Sequence, residues 1–95
     1  LIATAHFAAN SHDKAAEWYT QALAVWRALG DRINEARTLN DLGWAYQRAR
    51  NFPKATECYE QALKLAREIK DRLTEAHSLS NLAGVDEALN RRERA

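Results

Sequence analysis

Laid over itself at an offset of 40, this chain of 95 residues matches itself, and that echo limits its fold more than any other feature. Tyr19-Thr20-Gln21-Ala22-Leu23 falls on Tyr59-Glu60-Gln61-Ala62-Leu63, and Asp31-Arg32-Ile33-Asn34-Glu35-Ala36 falls on Asp71-Arg72-Leu73-Thr74-Glu75-Ala76. Between residues 14 and 39, 13 of 26 positions are identical to those 40 later. A chain built this way is an array of one unit, here about two and a third copies, and each unit must bury its apolar face against the next.

The unit is helical. Ala (19) and Leu (11) dominate, Val plus Ile give five, and three Gly and one Pro leave few turn-makers, which excludes a β-sandwich or barrel. Apolar residues recur at steps of three and four: Ala15, Tyr19, Ala22, Trp26 and Leu29 predict a helix over 12–29. Leu39, Leu42, Gly43, Tyr46 and Ala49 predict one over 32–49, and Ala55, Tyr59, Ala62, Leu63, Ala66 and Ile69 one over 52–69. Ala76, Leu79, Leu82 and Leu89 predict a further helix over 72–89, and residues 1–9 match the end of an earlier one. Gly30 suits the left-handed position past a helix end, Asp31 and Asp71 suit N-caps, and Pro53 suits a first turn after Asn51. Turns of two or three residues force neighbouring helices to run antiparallel. The expected fold is all-α: about five helices in a right-handed solenoid, with a partial first repeat at 1–29, a full repeat at 32–69 and a partial third at 72–95.

Leu39, Leu42-Gly43, Tyr46, Ala55, Tyr59 and Ala62 resemble the tetratricopeptide repeat. The third copy keeps Leu79 and Leu82 but has Ala83 for the Gly and Asp86 for the Tyr. The first keeps Ala15, Tyr19 and Ala22 but has His6 at the Tyr position. A period of 40 looks like the long-helix variety found in kinesin light chains, GoLoco-containing polarity adaptors and bacterial signalling proteins. The resemblance implies a concave groove for a peptide or partner segment. By motif register its residues are Arg37, Asn40, Asp41, Trp44, Gln47 and Arg48 in the second copy. In the third they are His77, Ser80 and Asn81, followed by Gly84, Glu87 and Ala88. Helical spacing supports the grouping, since 37, 41, 44 and 48 share one face opposite Leu39, Leu42 and Tyr46. Arg37, Arg48 and His77 favour an acidic ligand and Asp41 and Glu87 a basic one, so the sign stays open. The Lys/Asn clamp of the family's C-terminal-peptide binders is not found.

Other chemistry is not supported. His6, His12 and His77 are scattered and Cys58 is the one cysteine, so neither a zinc site nor an internal disulfide follows. The isolated Gly30, Gly43 and Gly84 make no phosphate loop, and carboxylate pairs such as Asp13/Glu17 read as a solvated face. No enzyme activity, cofactor or metal is expected. A net charge of +1 gives no case for nucleic acid despite Arg48/Arg50/Lys54 and Arg91/Arg92/Arg94, and no apolar run is long enough for a membrane span. A single cysteine and no visible leader point to the cytoplasm. The start at Leu1 and the absence of Met suggest a piece of a longer protein. The expected function is a non-catalytic protein–protein interaction module; the alternative is a structural, self-associating spacer with an idle groove. Leu79, Leu82, Val85 and Leu89 predict an apolar stripe on the last helix, covered by a second copy in a dimer or end-to-end stack.

Overall fold

The computed structural model describes the backbone of residues 2–94 and the side chains of residues 12–90. Four helices follow one another: α1 (Ile2–Leu29), α2 (Arg32–Arg48), α3 (Phe52–Glu68) and α4 (Arg72–Arg94). The three turns share one construction. The residue after each C-cap has positive φ: Gly30 (71°), Arg50 (65°) and Lys70 (60°). The next N–H then reaches back to a carbonyl of the last turn: Asp31 to Trp26 (2.9 Å), Asn51 to Tyr46 (2.8 Å) and Asp71 to Ala66 (2.9 Å). That same residue starts the following helix. Asp31 accepts the Asn34 amide (3.1 Å), Asn51 that of Lys54 (3.4 Å) and Asp71 that of Thr74 (3.3 Å). Ion pairs between an exposed arginine and a half-buried glutamate repeat with the period too: Arg27 to Glu35 at 3.1 Å and Arg67 to Glu75 at 2.9 Å.

Four helices stand where the sequence predicts about five, because residues 2–29 form one continuous helix. The expected break near residue 10 does not form: Asn10 and Ser11 align with the turn residues Arg50 and Asn51, but Asp13 stands where the second copy has Pro53, whose ring favours a helix start. The remaining elements match the expected all-α array of antiparallel helices.

α2 is the hub. It packs against α1, α3 and α4, and α3 packs against α4. Among the described residues the backbones of α2 and α4 approach within 8 Å (Cα to Cα), while those of α1 and α3 do not. The layer holding α2 and α4 is thus drawn together and the layer holding α1 and α3 is spread, so the α2–α4 side is the inner curve. The least extent, 18 Å, is that of two helix layers.

Two apolar clusters hold the layers. Leu23, Ala36, Leu39, Leu42, Cys58, Ala62 and Leu65 join α1, α2 and α3. Ala55, Tyr59 and Val85 join α3 to α4, with Leu82 and Leu89 packed at their edge. This corrects the stripe expected on the last helix: Val85 is fully buried on α3, Leu82 and Leu89 are half-buried, and Leu79 is left 46% exposed. Its counterpart Leu39, covered by helices on both sides, is 3% exposed.

Candidate functional site

The inner curve carries a cleft of about 380 Å³ between α2 and α4. Arg37, Asn40 and Asp41 form its α2 wall, and Leu73, Thr74 and His77 its α4 wall. The sequence pattern puts 37, 40 and 41 on one side of α2, and the Asp71 cap sets where α4 begins and so which residues of its first turns face them.

The polar groups between these helices differ in how far they are committed. Asn40 is buried: its Oδ1 accepts from Ser78 Oγ (2.9 Å), and its Nδ2 points to the Thr74 carbonyl at 3.5 Å. Ser78 Oγ is also 3.0 Å from that carbonyl. Asn40 therefore ties α2 to α4 and has little capacity left for a ligand backbone. Arg37 Nε lies 3.8 Å from Asp71 Oδ2, which draws the guanidinium towards the N-terminus of α4. Asp41 differs: no ion pair or hydrogen bond engages its carboxylate among the described residues. Neighbouring atoms partly desolvate it, which raises its carboxyl above the ordinary carboxylate value. Leu73 and His77 are exposed.

The other expected site residues separate from this cleft. Trp44 is 49% exposed and leans towards α1. Its ring meets that of His12 edge-on at 6.2 Å, and the Arg48 guanidinium sits 5.6 Å from its centroid. Gln47 is half-buried and accepts the Tyr59 hydroxyl at 2.7 Å. Ser80 is exposed and Asn81 half-buried, both further along α4 and outside the cleft walls. One face in the sequence is thus two places in the structure. Four of the nine residues, Arg37, Asn40, Asp41 and His77, meet at the cleft, and Trp44 with Arg48 faces His12.

Sequence reasoning missed Leu73 and Thr74 as cleft walls and His12 as the neighbour of Trp44. Repeat alignment held a signal for the first: Ile33 and Leu73 are equivalent, and both are large apolar residues left exposed in the first turn of their helices. A second cleft, of about 270 Å³, opens on the outer side between α1 and α3, over Leu39, Leu42 and Tyr46. Cys58 faces it, but burial lifts that thiol to about 11, helped by the Glu57 carboxylate, so it stays protonated at neutral pH and is a poor nucleophile. Among the described residues no cluster of three or more His, Cys, Asp or Glu is placed to hold a metal, and no helix is long and apolar enough to cross a membrane.

Stacked antiparallel helix pairs with Gly43 under Tyr59 and an inner cleft define a helical-repeat protein. A family model described as Tetratricopeptide repeat matches residues 1–68, and the chain belongs to that family. No curated protein matches the chain at a significant level.

Proposed function

We propose that this chain is a non-catalytic protein–protein interaction module whose α2–α4 cleft holds an extended segment of a partner, as a regulatory or scaffolding part of a cytoplasmic protein. The observation that carries this reading is the cleft itself. It lies on the inner curve and combines exposed Leu73 with the hydrogen-bonding and charged groups of Arg37, Asp41 and His77. A partner backbone needs donors and acceptors, and one apolar contact supplies most of the anchoring. Repeat arrays gather such groups on one curved face while the buried layer keeps the helices rigid. Panning a displayed library of random dodecapeptides on the immobilised chain tests it. Enriched peptides should lose retention on Leu73→Asp and on His77→Glu, with the far-UV circular dichroism unchanged. Enrichment indifferent to both changes would place binding elsewhere.

A second reading, self-association, is favoured by the open faces of the terminal helices. Trp18 is 73% exposed, with Val25 and Leu29 also exposed along α1, while Leu79 is exposed on α4. Such faces lie bare where a repeat lacks its neighbour. Sedimentation equilibrium over a hundredfold concentration range separates the readings. A rising mass that Trp18→Glu or Leu79→Asp abolishes supports self-association, and the mass of one chain throughout rejects it.

A further inference from the structure

We propose that the α2–α4 cleft selects a basic partner segment: a Lys or Arg side chain enters between the helices, with the Asp41 carboxylate as its counter-ion and Leu73 as the surface for its aliphatic stem. This rests on the reading of the cleft as a peptide site and adds the chemistry of the ligand.

The argument is one of charge and commitment. Three ionisable side chains line the cleft: Arg37, Asp41 and His77. Arg37 already faces a carboxylate, Asp71, at 3.8 Å. Asp71 itself is fixed as the α4 cap by the Thr74 amide and by the Thr74 hydroxyl at 2.7 Å, so it cannot turn into the cleft as a second acceptor. Arg37 therefore has its partner, and Asp41 has no ion pair among the described residues. Partial desolvation of Asp41, with no ion pair among the described residues to offset it, raises its carboxyl, and an incoming ammonium or guanidinium would supply that interaction. The apolar contact suits the same ligand. Lys and Arg lay their methylene stems along apolar surface while the charged head reaches a counter-ion, and exposed Leu73 stands on the wall facing Asp41. An acidic side chain would meet Asp41 at the same point, and of the two cleft groups that could attract it Arg37 is already engaged and His77 stands on the opposite, α4 wall.

The dodecapeptide library panned on the wild-type chain provides the probe. The most enriched peptide is made with a fluorescein label and titrated by fluorescence anisotropy at low and moderate salt. The expected result is a Lys or Arg recurring at one aligned position. Asp41→Asn should then weaken binding about tenfold. Replacing that Lys or Arg by Ala should weaken it by a similar factor, and combining both changes should add little. Binders that are acidic or uncharged and indifferent to Asp41→Asn, yet lost on Leu73→Asp, would overturn the basic-ligand inference and leave the cleft standing as a peptide site. Binders indifferent to every cleft change, or no enrichment at all, would overturn both. Asp41 is exposed, so circular dichroism and the urea midpoint of Asp41→Asn should match wild type and keep a loss of binding distinct from a loss of fold.

Discussion

The ring of Tyr59 lies directly on Gly43: a Cβ at residue 43 would stand 2.6 Å from Tyr59 Cε1 and 2.7 Å from Cδ1. Tyr59 is fully buried, and its hydroxyl is held by Gln47 on the same helix as Gly43. The ring therefore has no room to withdraw, and the close approach of α2 and α3 depends on the missing methyl group. Gly43→Ala should destabilise the fold by about 1–3 kcal/mol through overpacking, outweighing a gain of about 1 kcal/mol in helix propensity. Urea unfolding followed by circular dichroism checks this, and an unchanged or higher midpoint would show that the helices separate without penalty.

The helix-end positions Gly30 and Lys70 are equivalent under the 40-residue period, and both have φ near 60–70°. A side chain there carries strain of about 1 kcal/mol that glycine avoids. Lys70→Gly should raise the unfolding free energy by roughly 0.5–1 kcal/mol, the gain being trimmed by the greater freedom of glycine in the unfolded chain. Gly30→Ala should lower it by a similar amount, although nothing lies within 4 Å of its would-be Cβ. Midpoints that move together in one direction would reject the backbone explanation.

Both capping aspartates are held below the ordinary carboxylate value. For Asp31 the main cause is the Asn34 side-chain amide, then the Asn34 backbone amide; for Asp71 it is the Thr74 hydroxyl, then the Thr74 backbone amide. An acid with a lowered folded pKa contributes stability that is present above its unfolded value, near 3.9, and is lost as pH falls through the folded one. The melting temperature should therefore fall from about pH 4 downward. The Asp31→Asn/Asp71→Asn double variant keeps capping oxygens and should show a shallower acid limb; equal limbs would remove the caps from the explanation.

At the alkaline end the sign reverses. Burial pushes the Cys58 thiol up to about 11 and the Tyr59 phenol up to about 12. The unfolded chain releases these protons first, so stability should decline from about pH 9, where the unfolded thiol ionises, through pH 12. Cys58→Ala should flatten the early part of that decline. A thiol reagent at pH 8 should label Cys58 slowly in the native chain and rapidly in urea, whereas equal rates would mean that the thiol is open to solvent.

Asn40 and Ser78 form the buried polar link between α2 and α4. Ser78→Ala leaves the Asn40 oxygen without its donor and should reduce stability by about 1–2 kcal/mol. Because the link also fixes the spacing of the cleft walls, peptide affinity should fall with it. Loss of stability with intact affinity would show that the cleft does not depend on this link.

Much of the architecture was legible along the chain. The period, the helix starts at residues 32, 52 and 72 and the caps follow from local rules that act within a few residues or repeat every 40. That 37, 41, 44 and 48 are exposed along one side of α2 was also readable, since helical spacing alone puts them there, but their separation into the cleft and the Trp44–His12 contact was not. What differs between copies was not readable there. Leu39 and Leu79, or Cys58 and Trp18, occupy equivalent positions, yet the first of each pair is buried and the second exposed. Burial depends on how many helices surround a position, and a repeating sequence does not carry that count. In the same way α4 claims Asn40 for the scaffold, Asp71 draws Arg37 aside, and His12 lies against Trp44, while Asp41 has no ion pair among the described residues. The sequence by itself determined the helices and their order. Tertiary packing decided which polar groups were left for a partner, because a hydrogen bond or ion pair between helices forms only once both have been brought together.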